Sequence, residues 1–452
     1  MKDFCADVLQ RENKLKKLAG LAVEFALKAG ADQCAASLAC AQGISVSSRD
    51  GEVENIEFNR DNGLSITVFK DHRRGSASTT DLSVDALKQT AESAAVLASY
   101  SDKDDCAGLP EQELLCRKFK DLKVLYPGFD SPDDAVSLAV SMDRLGMEDN
   151  RKGLKKSDGA AAGYTLYTHC LANSEGFCYA SSSSMCSSEI TMLGESRGVM
   201  QRGSGFSCAL STLDLKDPAW VEAEAAKRTI DKLDPVRVKT GKYDVIFTRS
   251  AVQSLLSNFS QAIFGGAVYR RRSFLCDCLN TAVMPNYVSI YEDPFIEGSF
   301  GADNCDGEGV ATKACNIVEN GILKEFLLSS YTARKLKMQT NGHAGGKYNW
   351  FINFDDEHTV SFENMLKQVG EGLVVDELMG QGVDLTSGNY SRGAAGFYFK
   401  NGKRVHAVSE ITIAGNLKDM FLNMALAGTD RDARYKVQSG SILIPDMIVS
   451  GL

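Results

Sequence analysis

The sequence predicts an α+β protein in which two N-terminal helix-plus-antiparallel-sheet modules precede a larger β-rich C-terminal domain. Three observations carry this. Amphipathic helical stretches alternate with period-two runs in the first half. Asp-Gly and Asn-Gly pairs sit between alternating apolar residues, as hairpin turns require. From Tyr243 onward, strands joined by tight turns dominate. The expected segments are 1–105, 125–234 and 240–452, and no solenoid period appears.

Leu15, Leu18, Ala22, Phe25 and Ala29 share one helical face, with Gly30 as the stop. In GISVSSRDGEVENIEFN, Asp50-Gly51 sets a hairpin; Asn62-Gly63 is expected to turn the chain into LSITVF. A second helix starts near Ser83, with Val84, Leu87, Ala91, Ala94 and Ala98 in phase, and ends before SDKDDCAG, a boundary. Ser131, Pro132 and two aspartates open the next helix, where negative charge favours the positive helix end. A meander with turns at NSEG and RGSG follows, then a helix from Asp217-Pro218 and the linker DPVRVKTGK. In the last domain VENGILKEFLLSS and FYFKNGKRVHAVSEITI are Asn-Gly hairpins, and SFENMLKQVGEG is a late helix. Val252, Leu255, Leu256, Phe259 and Ile263 recur at steps of three and four behind Ser250, placed as N-cap. That helix runs out into SQAIFGGAVYR, a glycine corner with no obvious chemistry.

The 452 residues carry a net charge of −9 and a pI near 5.3, which leaves no basic stripe for wrapping nucleic acid directly. No apolar run approaches the roughly 18 to 20 residues that cross a bilayer, and the N-terminus lacks the order of a signal peptide. A cytoplasmic protein without a membrane role is expected. Its 13 cysteines are odd in number and irregularly spaced, so reduced thiols are expected rather than disulfides.

A zinc peptidase places histidines and a glutamate on one helix, because the metal needs neutral nitrogen ligands and its water needs a base. His72, His169, His343, His358 and His406 have no such spacing, and there is no Cys-x-x-Cys pair. Cys276 and Cys278 read as alternating thiols on a strand edge. Arg270, Arg271 and Arg272 form a solvated face, or a contact for an acidic partner or a peptide carboxylate. NGHAGGKYNW sets His343, Gly345, Gly346 and Asn349 before an aromatic strand, and the glycine-rich run through Tyr390, Arg392 and Gly393 has the same character. Small residues admit another backbone, so both stretches are expected to line an extended peptide. No nucleophile elbow, serine and lysine pair or phosphate cradle is visible.

DGEVENIEFNRDNGLSITVF, RRGSASTTDLS, AIFGGAVYRRRSFL, YTARKLKMQTNGHAGGKYNW, GLVVDELMGQGV, GNYSRGAAGFYFKNG and VSEITIAGNLKDM, in that order, resemble the TldE/PmbA branch of the TldD/TldE metalloprotease family. The resemblance implies a subunit of a cytoplasmic heterodimer with a TldD-like partner, acting on unfolded or flexible peptides, including microcin precursors and an antitoxin. It also implies that the label modulator of DNA gyrase describes a downstream effect. In the TldD-like partner, zinc is held by His-Glu-x-x-x-His and a later cysteine. The resemblance places Ser260, Gln261 and Gly265 at the metal-motif positions and Ser439 at the cysteine. No metal, cofactor or catalytic residue is therefore expected in this chain. A homodimer of the chain alone stays open. The alternatives are a stand-alone hydrolase with an unrecognised nucleophile and a non-enzymatic binding protein linked to toxin or gyrase control.

Overall fold

The computed structural model describes residues 2–452. Its first half comprises α1 (Lys2–Lys28), β1 (Gln33–Arg49), β2 (Glu52–Lys70), β3 (Arg73–Thr79), α2 (Val84–Tyr100), α3 (Pro132–Glu148), β4 (Leu154–Asn173), β5 (Cys178–Ser196), β6 (Val199–Ala209) and α4 (Pro218–Asp231). Local signals explain the boundaries. Ser83 accepts a hydrogen bond from the Ala86 amide, and the Ser131 amide donates to Asp134 at 2.8 Å, closing a capping box. Asp50 and Gly51 have φ of 53° and 76°, the left-handed pair that a two-residue hairpin requires.

The strands form one antiparallel sheet in the order β3-β2-β1-β4-β5-β6. β1 pairs with β4 from Ala35 to Ser48, so the sheet runs unbroken from the first helix pair to the second. Even-numbered residues of β1 face the helices: Cys34, Ala36 and Leu38 pack with α1 and α2, and Val46 with Ala135 and Ala139 of α3.

Two expected turns are strand. Asn62 and Gly63 pair with Cys40 and Ala39, because β1 is long enough to template the whole of β2. RGSG lies inside β6, and the hairpin turns earlier at Arg197-Gly198. Its glycines serve α4 instead: a Cβ on Gly203 would lie 2.6 Å from the Thr229 amide, and one on Gly205 would lie 2.1 Å from the Val221 carbonyl. Only glycine lets the helix lie this close to the strand.

The C-terminal domain begins with β7 (Gly241–Phe247), α5 (Arg249–Ala262), α6 (Gly265–Tyr269), β8 (Val288–Asp293), β9 (Cys315–Glu319), β10 (Ile322–Leu323) and α7 (Ser330–Leu336). It continues through β11 (Asn349–Phe354), β12 (Thr359–Val360), α8 (Phe362–Val369), β13 (Glu371–Met379), β14 (Asn389–Lys400), β15 (Lys403–Asn416), α9 (Leu417–Leu422), β16 (Leu426–Gly428), β17 (Val437–Gln438) and β18 (Ile442–Ser450). One sheet has the order β10-β9-β8-β11-β17, the other β12-β16-β18-β15-β14-β13-β7. β7 also pairs with β18, so β7, β13, β14, β15 and β18 close on themselves. Both expected Asn-Gly hairpins are present, with positive φ at Asn320-Gly321 and Asn401-Gly402. Cys276 and Cys278 lie in a turn, not on a strand.

The helix N-cap of α5 is Thr248 rather than Ser250; both hydroxyls donate to Asp376 Oδ1, at 2.8 and 3.1 Å. The two halves are tied by buried charge. Arg434 bonds Glu224 of α4 and Asp432, and lies over the Phe206 ring at 4.2 Å. Burial works against its charge, but these carboxylates outweigh it and the net shift is upward. Lys335 and Tyr331 of α7 both bond Asp104, which holds that carboxyl down at about 2, the Lys335 hydrogen bond contributing most. No described helix is long and apolar enough to cross a membrane.

At the junction of α3 and α4, Asp149 and Glu222 share Arg151, at 2.5 and 2.8 Å. Burial first, then the neighbouring Asp149, pushes the Glu222 carboxyl up to about 7. The native state therefore holds this proton more tightly than the unfolded chain, so its stabilising effect is full at low pH and fades as pH rises through the folded value. Glu222→Gln should match the wild type in urea denaturation near pH 5, and should gain relative to it as pH passes from about 5 to about 8.

Candidate functional site at the end of α5

The apolar face of α5 (Val252, Leu255, Leu256, Phe259 and Ile263) is fully buried between the two C-terminal sheets. Phe259 meets Phe421 and Trp350 edge-on at ring separations of 5.2 and 6.3 Å. The corner after α5 is pinned, not loose: Gly265 N donates to Leu327 O at 2.9 Å, and Leu327 N to Ile263 O at 3.0 Å. A Cβ on Gly265 would stand 2.3 Å from Thr332 Oγ1, so glycine here provides close approach to α7.

Ser260 is 2% exposed. Its hydroxyl donates to Ser257 O at 2.9 Å and accepts from Lys347 Nζ at 3.1 Å. Lys347 sits 87 residues away in sequence, with its ammonium 5.7 Å from the Trp350 ring centre. Burial first, then the nearby Lys436, push the Lys347 amine below its ordinary range, with Glu292 opposing. Gln261 is exposed and donates to Ser257 Oγ at 3.2 Å. Ser439 is buried, its hydroxyl on Gly440 O at 2.9 Å, and no hydrogen bond joins it to Ser260 among the described residues.

A buried network positions Lys347. Glu292 of β8 is 0% exposed, and its carboxylate accepts from His343 Nε2 at 2.6 Å, Trp350 Nε1 at 2.6 Å and Tyr348 N at 2.9 Å. The other His343 nitrogen faces Asn341 Oδ1 at 2.9 Å. The Asn341 amide nitrogen donates to Glu325 and Phe326 O, which turns its oxygen toward the ring. Asn341 Oδ1 is an acceptor, so His343 Nδ1 donates to it, and one proton is shared between His343 Nε2 and Glu292 across 2.6 Å.

The expected peptide-lining residues divide accordingly. His343, Asn349 and Tyr390 are buried, at 1%, 0% and 2% exposure, and offer no surface to a ligand. Asn349 accepts from Gly301 N and donates to Asp293 O; Tyr390 is a core ring. Arg392 is half-buried, donating to Met379 O, and Gly393 packs on Met379. Gly345 and Gly346 do lie on an open loop, with φ of 117° and 145° and nothing within 4 Å of a built Cβ. Of the three arginines, all exposed, Arg271 is neutralised by Asp277 at 2.6 and 2.8 Å, while Arg270 lies on the Tyr269 ring. No carboxylate pairs with Arg270 or Arg272 among the described residues. Sequence reasoning missed Lys347 and Glu292, whose partners are far apart along the chain.

Three family profiles, described as PmbA/TldA metallopeptidase domain 1, central domain and C-terminal domain, match residues 41–98, 126–233 and 240–451. Metalloprotease PmbA of Escherichia coli O157:H7 is 41% identical over 409 residues, 90% of each chain. The chain belongs to the PmbA/TldD metallopeptidase family. A PmbA homologue of Haemophilus influenzae is 36% identical over 98% of this chain and 97% of its own. TldE from Thermococcus kodakarensis shares the fold with a TM-score of 0.80 at 21% identity, covering 95% of this chain and 99% of its own. A Bacteroides thetaiotaomicron protein labelled a modulator of DNA gyrase superposes with a TM-score of 0.90 at 24% identity, covering 97% and 99%.

Family membership raises the question of a metal. Zinc takes neutral imidazole or anionic thiolate and carboxylate donors. Here the buried hydroxyl of Ser260 is occupied on both sides, Gly265 has neither a side chain nor room for one, and an ammonium stands 3.1 Å from Ser260. These residues do not fit zinc. Among the described residues no group of three His, Cys, Asp or Glu side chains gathers to hold one.

Removing the imidazole of the buried pair should show how much the loop depends on it. His343→Ala should lower the unfolding free energy in urea by about 2 to 4 kcal/mol, because Glu292 stays buried without its hydrogen-bond partner and the ring leaves a cavity. His343→Gln, which keeps a donor, should lose less.

Proposed function

We propose that this chain is the TldE/PmbA-type, non-catalytic subunit of a zinc-dependent peptidase. In this reading it pairs with a TldD-like partner that supplies the metal, and it helps enclose unfolded or flexible peptide substrates. One observation carries it: the Lys347 ammonium seated against Ser260, at the end of the helix that the family resemblance matches to the metal motif. A cation in that place repels a second cation, and an ammonium has no lone pair to ligate it.

The retained helix supports the same reading. α5 buries its apolar face between two sheets, while the positions that the resemblance matches to the metal motif, buried Ser260, exposed Gln261 and Gly265 packed against α7, bring no imidazole, thiolate or carboxylate. The open loop at Gly345 and Gly346 offers backbone to an extended chain, and exposed Arg270 and Arg272 offer guanidinium groups to carboxylates of substrate or partner. Peptides such as microcin precursors and antitoxins are the substrate class that the family resemblance implies, and a cytoplasmic location goes with it.

The test is reconstitution. The purified chain should cleave no flexible peptide, whereas a mixture with a TldD-like subunit should cleave it and lose activity to a chelator. Chelator-resistant cleavage by the isolated chain would instead favour a stand-alone hydrolase. Stable capture of a toxin-related protein without any TldD-like subunit would favour the binding-protein alternative.

A further inference from the structure

Two cysteines meet at the closed end of the β4–β5 hairpin. Cys170 lies opposite Ala180 and Ala172 opposite Cys178, so both thiols stand on the same face of the sheet, one diagonal step apart. α1 covers that face: Cys170 and Ala180 share a buried cluster with Leu15 and Ala19, and the Ser182 hydroxyl donates to Glu12 at 2.8 Å. Cys170 is fully buried, whereas Cys178 is exposed. The Cys170 thiol donates a hydrogen bond to the Cys178 sulfur.

This contact makes the two sulfurs unequal. The hydrogen bond from Cys170, aided by the Lys16 ammonium and opposed by burial, holds the Cys178 thiol below its ordinary range. The same hydrogen bond, together with burial, keeps Cys170 protonated. Elsewhere burial pushes thiols up, as at Cys34, Cys186, Cys305 and Cys315. The charged groups that face the pair are Lys16 and Glu12, both from α1. An accessible thiolate with a second thiol beside it is the arrangement that reacts with peroxides and resolves to a disulfide.

We propose that Cys178 and Cys170 form a reversible dithiol switch whose oxidant is a hydroperoxide. The Cys178 thiolate attacks one peroxide oxygen, the O–O bond breaks, and the departing alkoxide or hydroxide takes up the proton that Cys178 had lost. The Cys170 sulfur then bonds to the Cys178 sulfur, the S–O bond of the sulfenic acid breaks, and the Cys170 proton leaves with the hydroxide as water. Two electrons pass from the thiols to the peroxide, and a thiol reductant returns them. The bond brackets the turn whose Phe177 packs with Leu115 and Cys305, at the junction of the first sheet and the C-terminal domain. It lies apart from α5, and its failure would leave the proposed role in peptide cleavage standing.

Exposure of the reduced full-length chain to hydrogen peroxide at about pH 7, followed by alkylation and non-reducing mass spectrometry, tests it. The tryptic peptide 157–197 should lose two hydrogens, with fragmentation placing the bond between Cys170 and Cys178 and not at Cys186, and dithiothreitol should reverse the change. C170A should stop at the sulfenic acid, trapped on Cys178 by dimedone, and C178S should form neither species. In the wild type, Cys178 should be consumed about fivefold faster than the exposed Cys5. A wild type that forms no bond between Cys170 and Cys178, a Cys178 that reacts no faster than Cys5, or a disulfide in this peptide that persists in C178S would each overturn the proposal.

Discussion

The buried carboxyl group of Glu292 is the constraint on which the candidate site of the C-terminal domain depends. It is fully buried, and its bonds to His343, Trp350 and Tyr348 tie β8, β11 and the loop between α7 and β11 into one unit. A buried polar group is tolerated only when its hydrogen bonds are made, so the loop is free to take few other courses. Along the course it takes, Lys347 arrives at Ser260. The electrostatic character of the end of α5 is thus set through a residue of β8, on the sheet face against which α5 packs.

This separates what the helix does for the fold from what it does for chemistry. Leu255, Leu256 and Phe259 face two sheets and would be needed whatever stood on the helix's outer side. Of the three positions at its end, only Gln261 is exposed, and Ser260 is buried under Lys347. Gly265 has been recruited to packing, since α7 approaches it too closely for any side chain.

Much of the fold was legible because it is written in local signals. The phases of α1, α2 and α5, the cap at Ser83, the capping box at Ser131 and three primed hairpins follow from spacing and turn chemistry. The failures share a physical cause: they depend on partners distant in sequence. Asn62-Gly63 looks like a turn until β1 is known to run alongside it, and the glycines of RGSG look like a loop until α4 is laid across them. The unbroken sheet rests on β1 pairing with β4 across more than a hundred residues. At the candidate site, the glycine loop could be read, but the burial of His343 beneath it and the meeting of Lys347 with Ser260 could not, because no local pattern encodes a contact 87 residues apart.

The central claim is that an ammonium, not a metal ion, occupies the end of α5. Crystals of the chain grown with zinc, measured above and below the zinc absorption edge, address it directly. The account predicts Lys347 Nζ within hydrogen-bonding distance of Ser260 Oγ and no anomalous peak beside Ser260, Gln261 or Ser439. A well-occupied peak there, with Lys347 swung away, would contradict it.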